Sequence, residues 1–213
     1  MSVLETIGWS SAGSLVVVAP HPDDETLAAG GLMFDLVRAG WQVSIVVITD
    51  GAASHPDIGA LPGIRARECR RAAATLGVLA PPIFLGFPDG QACEEVAAVA
   101  TALTRCASGF DVLVGPRTDD VHCDHVATAL AIELAFSTSA TVQLHYAIWG
   151  WDHLTSSELN LESAESYRPT DEAQQAKRTA LHHYESQVTD RYGCVIVDER
   201  VVARHTADTE VFW

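Results

Sequence analysis

The sequence is short of positive charge. Lysine and arginine together number 13 against 28 aspartates and glutamates, and Lys177 is the one lysine in 213 residues. A chain with a formal charge of −15 repels phosphate backbones, which argues against a nucleic-acid partner. Cysteine is also scarce. Cys69, Cys93, Cys106, Cys123 and Cys194 form an odd set with no CxxC pair, so neither a disulfide framework nor a zinc ribbon is indicated and free thiols are expected. No apolar run is long enough to span a membrane, and no basic amphipathic helix is evident that would lie on one. Met1–Ser14 lacks the basic start and apolar run of a secretion signal, so a cytoplasmic chain with no membrane partner is the expectation. Linkers, repeats and low-complexity tracts are missing as well. With 48% apolar residues, one domain over 1–213 is expected.

Strand-like and helix-like segments alternate. Leu15–Ala19, Gln42–Thr49, Pro82–Phe87, Asp111–Gly115 and Val142–Trp149 read as strands. Helices are expected over Thr26–Ala39, Pro62–Leu76, Cys93–Ala107, Val126–Phe136 and Thr170–Gln187; the tail from Gly193 is ambiguous, with Cys194–Val197 and Val201–Ala203 as candidate strands. Repeated βα units imply an α/β chain, a Rossmann-like three-layer α/β/α sandwich with a mostly parallel sheet. Ligands bind such sheets at the carboxyl ends of the strands, where ionisable residues should therefore gather. They do: His21-Pro22-Asp23-Asp24-Glu25 follows the first strand, Asp50 the second, Asp89 the third, Arg117 to His125 the fourth and Asp152 the fifth.

Two of these loops are dense in metal donors. His21 has a carboxylate three residues on at Asp24, and His122 has His125 at the same spacing. Imidazole nitrogen with carboxylate oxygen suits zinc, and three protein ligands with one open position make a catalytic site. The open position activates a water whose proton a spare carboxylate takes. Each loop alone also reads as a helix N-cap with surface side chains. Two such loops after strands one and four, which this topology makes neighbours at the switch point, favour the metal reading. Cys123 is a weaker ligand candidate, since a thiolate would tend to close the site. The position after the first strand holds neither a GxGxxG nor a Walker loop, and no Gly-x-Ser-x-Gly elbow occurs.

Pro20-His21-Pro22-Asp23-Asp24-Glu25 resembles the His-Pro-Asp-Asp-Glu signature of the PIG-L/LmbE-like N-acetylglucosaminyl deacetylases, and His122-Cys123-Asp124-His125 resembles their His-Pro-Asp-His motif. Arg65-x-x-Glu68 with Leu76-Gly77-Val78, Gly86 to Gly90, Lys177-x-x-Ala180, Ser186-Gln187 and Glu210-Val211-Phe212 are softer matches along the chain. The resemblance implies a zinc-dependent hydrolase that removes the acetyl group from an N-acetylglucosamine-type conjugate. It implies His21, Asp24 and His125 as metal ligands, Asp23 as general base, and His122 as the donor to the oxyanion or to the departing amine. Asp124 would orient a histidine, and Arg65 would contact substrate, with a solvated helix charge as its alternative. Cys123 stands where proline is common and removes no ligand.

Substrate selection is less legible. Trp149 and Trp151 are candidates to stack on a sugar face, although core packing is the commoner use and is expected for at least one of them. Asp89 is a candidate for sugar hydroxyls, and so are Asp50 and Asp152, against the usual turn-forming role of Asp beside Gly. A His/His/Asp site also takes Fe2+, Co2+ or Mn2+. A metal-dependent hydrolase of another amide or ester bond, and a non-catalytic ligand-binding relative, remain as alternatives. The aglycone and the oligomeric state are not readable.

Overall fold

The structure is a computed structural model in which residues 12–213 are described. The reading of Met1–Ser14 as free of a secretion signal therefore lies outside the described residues up to residue 11. Five strands, β1 (Ser14–Ala19), β2 (Gln42–Thr49), β3 (Ile83–Phe87), β4 (Val112–Pro116) and β5 (Val142–Tyr146), form a parallel sheet in the order β3-β2-β1-β4-β5. Helices α1 (Asp24–Arg38), α2 (Leu61–Thr75), α3 (Val96–Ala107) and α4 (Cys123–Phe136) connect them. The chain builds outward from β1 to β3 and then restarts at β4 on the other side of β1. The carboxyl ends of β1 and β4 thus flank the switch point.

Because both faces of the sheet are covered, β1 is apolar from Leu15 to Ala19. Leu15, Val17 and Ala19 pack under α1 and α2, whereas Val16 and Val18 face α3 and α4. The alternation follows the two-residue period of a strand. Each fully buried valine contributes about 1.5–3 kcal/mol, so the LVVVA run alone fixes the register strongly.

The later part of the chain is α5 (Gly150–His153), β6 (Glu165–Tyr167), α6 (Asp171–Leu181), α7 (Glu185–Val188), α8 (Glu199–His205) and β7 (Glu210–Phe212), with β6 and β7 paired antiparallel. Several expectations are corrected here. Strand five ends at Tyr146, and Trp149 already precedes a helical turn. The helix expected over Thr170–Gln187 breaks after Leu181, where the Glu68 carboxylate takes the Ser186 N–H at 2.9 Å and its hydroxyl at 2.6 Å. Cys194–Val197 is not a strand, and Val201–Ala203 is helical. Asp198 caps that helix by accepting from the backbone of Arg200 and Val201, so capping outweighs the β-branched side chains. The strand that does close the tail, β7, is too short for its periodicity to register.

Helix α1 is not continuous. Ala29 has φ −134° and ψ 20°, outside the helical range. The N–H groups of Gly31 and Leu32 turn to the Glu210 carboxylate at 2.7 and 2.9 Å, and Lys177 Nζ pairs with the same carboxylate at 2.7 Å. Gly31 is required at this bend, since an added Cβ would stand 2.5 Å from Pro169 Cγ.

Candidate metal centre and active site

The two dense motifs meet between β1 and β4. Both helices start earlier than their sequence pattern indicates. Asp24 opens α1, and α4 begins at Cys123 rather than Val126. His122 is the N-cap of α4: its Nδ1 accepts the backbone N–H of Asp124 at 3.2 Å. That bond leaves the ring proton on Nε2.

Asp24 Oδ2 lies 3.2 Å from His21 Nδ1 and 3.2 Å from His125 Nε2. A tetrahedral ion with bonds of about 2.0–2.1 Å separates its ligand atoms by about 3.3 Å. Nitrogens of His21, His122 and His125 also converge within 4.8 Å of one another. His125 is wholly buried, and neither of its ring nitrogens makes a well-directed hydrogen bond, although Asp24 and Asp120 stand close by. An imidazole buried this way is costly unless something else takes its lone pair. The His and Asp donors gathered here therefore fit a divalent metal ion.

The outer faces of these histidines are braced. His21 Nε2 meets Asp89 Oδ1 at 3.0 Å and Asp124 Oδ2 at 3.1 Å. Asp124 is itself held by the N–H groups of Gly90 and Ala92 at 2.7 and 3.0 Å. Asp120 Oδ2 backs His125 Nδ1 at 3.5 Å. Carboxylates behind metal-binding histidines fix ring orientation and raise basicity.

Without a cation the cluster draws protons. Burial disfavours the charged form of His21, but its bonds to Asp124, Asp24 and Asp89 outweigh this and lift its pKa well above the usual histidine value. His125 is likewise opposed by burial, yet Asp24 and Asp120 push it up to about 9. Asp24, despite burial, is held well below the ordinary carboxylate range by His125 and His21. A metal ion supplies the positive charge that these protons otherwise bring. His122 behaves oppositely: burial, then repulsion from His21 and His125, lowers it, which keeps the ring neutral.

Asp23 is held differently. Its φ of 146° is a strained value for a side-chain-bearing residue. Arg65 secures it by donating to Asp23 Oδ2 at 3.0 Å, to the Pro22 carbonyl at 2.9 Å and to the Gly51 carbonyl at 3.0 Å. Gly51 is needed for this, because a Cβ there would sit 2.6 Å from the guanidinium. Burial raises the Asp23 carboxyl to about 7, with Arg65 opposing it.

Asp23, His21, Asp24, His122, Asp89 and Arg65 line a pocket of about 240 Å³, together with Trp149, Leu27, Ile196 and Val197. Of the residues singled out in the sequence, His21, Asp23, Asp24, Arg65, Asp89, His122 and Trp149 line this pocket, and two more lie behind it. Asp124 and His125 are the two behind it. Arg65 is 3% exposed and anchors Asp23. Trp151 lies elsewhere, against Trp213, and Asp152 pairs with Arg204. Cys123 is exposed, with its thiol against the Gly90 carbonyl and the Asp124 carboxylate. Sequence reasoning gave no role to three further groups. Asp120 braces His125. Glu25, fully buried, accepts from the Asp23 N–H, Thr26 and Tyr184. Gln187 lines the pocket with its amide oxygen unpartnered. Adjacency to the two motifs was the only available signal for Asp120 and Glu25.

The family model described as GlcNAc-PI de-N-acetylase, PIG-L, matches residues 16–136. The chain belongs to this family. A 1D-myo-inositol 2-acetamido-2-deoxy-alpha-D-glucopyranoside deacetylase of Mycobacterium sp. (strain KMS) is 41% identical over 87 residues, covering 35% of this chain and 27% of the relative. The chain thus spans about a quarter of that relative's length. Among solved structures, the zinc-inhibited form of teicoplanin deacetylase Orf2 superposes with a TM-score of 0.73 at 19% identity, covering 94% of this chain and 97% of that one. The N,N'-diacetylchitobiose deacetylase of Pyrococcus horikoshii gives 0.69 at 20% identity, covering 96% and 84%. These two establish the PIG-L/LmbE-like fold: a parallel sheet between helical layers.

Proposed function

We propose that this PIG-L family chain is a metal-dependent N-deacetylase of an N-acetylglucosamine-type conjugate, with His21, Asp24 and His125 holding the ion. The observation that carries this reading is the Asp24 carboxylate 3.2 Å from nitrogens of both histidines, on a pocket whose wall bears Asp23. When bound, the ion supplies Lewis acidity that polarises the acetyl carbonyl and acidifies water. Asp23, kept in place by Arg65, takes the proton of the attacking water. Its raised pKa suits a group that must receive a proton and then release it. His122, neutral with its proton on Nε2, donates to the developing oxyanion or to the departing nitrogen. The water oxygen bonds the carbonyl carbon, the C–N bond breaks, and the proton from water reaches the nitrogen, giving acetate and a primary amine.

Asp89 and Arg65 give the pocket polar groups and Trp149 an apolar surface, a combination that suits a sugar ring. About 240 Å³ is small beside typical ligand sites of about 300–1,000 Å³, so the aglycone would extend beyond it. Zinc is the proposed ion. Because zinc inhibits one structural neighbour, the test loads the metal-free protein with graded Zn2+, Co2+, Fe2+ or Mn2+. Amine release from N-acetylglucosamine conjugates that stops on chelation and returns with metal is the expected result. Confirmed metal uptake with no acetate or amine from any conjugate would overturn the deacetylase reading.

A further inference from the structure

We propose that the buried Lys177–Glu210 pair is a positioning device for the metal site: it holds the bend in α1 that sets Asp24 beside His21 and His125. The proposal rests on the metal reading above. In an unbroken helix the N–H of Gly31 would bond the Leu27 carbonyl, and that of Leu32 the Ala28 carbonyl. Both N–H groups instead go to Glu210, at 2.7 and 2.9 Å, and the Leu27 carbonyl faces the His205 ring. Glu210 thus caps a helix start built into the middle of α1.

The stretch Asp24–Ala28 is consequently not steered by continuity with the rest of the helix. At its front, Glu25 is gripped by Thr26, Tyr184 and the Asp23 N–H. At its back, Glu210 and Lys177 hold the bend. Glu210 is 5% exposed and Lys177 3%, so neither charge survives there without the other. Gly30 leaves room for the lysine stem, since a Cβ would stand 2.9 Å from Lys177 Cγ. Neither charged residue lines the metal pocket, so the pair acts through α1 and not on substrate. A buried ion pair adds little net stability over an apolar pair of the same volume. What this one adds is a direction for the helix segment that carries a metal ligand.

The test uses Glu210→Gln, which keeps an acceptor for a helix N–H and removes the charge facing Lys177. Leu103→Ala, on α3 across the sheet, is the control for lost stability alone. In Glu210→Gln, cobalt(II) affinity measured by chelator competition should fall at least tenfold and the visible cobalt band should shift. In the metal-free protein, the amides of residues 25–28 should exchange faster. Leu103→Ala should lower the melting temperature and move none of these. Should Glu210→Gln fail to fold, Lys177→Met/Glu210→Gln removes both charges together and is read the same way. The idea is overturned if the variant melts earlier yet binds cobalt within twofold of wild type with an unchanged spectrum. A wild-type protein that takes up no cobalt would overturn the metal reading instead, and amide exchange alone would then decide whether the pair holds the segment.

Discussion

Asp23→Asn separates the proposed base from everything else at the site. The side chain keeps its shape but can no longer accept a proton. Asp23 is 5% exposed, and its Oδ2 takes Arg65 at 3.0 Å. In the variant the amide oxygen turns to Arg65, which still donates to the Pro22 and Gly51 carbonyls at 2.9 and 3.0 Å. Breaking a buried ion pair outright costs about 3–5 kcal/mol. With these acceptors kept, the expected loss is that of one charge-assisted hydrogen bond, about 1–3 kcal/mol. For a domain of this size that lowers the melting temperature by roughly 2–12 °C. The catalytic effect should be larger. A positioned general base contributes about 10²–10⁴ in rate, or about 2.7–5.4 kcal/mol of barrier. The metal ligands are untouched, so metal content should match wild type. The assay is amine release from the best N-acetylglucosamine conjugate, with metal quantified on the same sample. A rate within about threefold of wild type, under about 1 kcal/mol of barrier, would refute the base assignment.

His122→Ala should lower kcat by about 10²–10³ while metal stays bound, because it removes a donor and not a ligand; metal loss would place His122 in the coordination set. Asp120→Ala should weaken metal affinity by about 10–100-fold through the His125 ring it braces, measured against a competing chelator, and an unchanged affinity would remove it from that role. Gly31→Ala drives a methyl group to within 2.5 Å of Pro169 and should cost about 1–3 kcal/mol in denaturant unfolding. An unchanged midpoint would contradict the bend described in α1.

The middle of the sheet was legible because β1, β2 and β4 are buried on both faces and read as largely apolar runs. β2 was placed without error at Gln42–Thr49. The donor clusters were legible because metal chemistry confines them to few residue types at short spacing. What sequence reasoning missed depends on long-range partners. Nothing near Asp198 announces that it caps a helix, and Val201–Ala203 alone favours a strand. The break after Leu181 answers to Glu68, far away in the chain. The helical start at Cys123 was hidden because histidine is an unusual cap, and Arg65 reads as a substrate contact or a solvated helix charge until the loop holding Gly51 folds over it.

The chain's one lysine has a practical consequence. Its ammonium group is enclosed and neutralised by Glu210, so amine-reactive reagents find no exposed lysine on the folded surface. Fluorogenic amine reporters should then read the deacetylation product over a quiet background. Lysine cross-linkers would be nearly blind to subunit association, and carboxylate chemistry is the better choice for so acidic a surface. Labelling at Lys177 would itself signal that the C-terminal strand has opened away from α1.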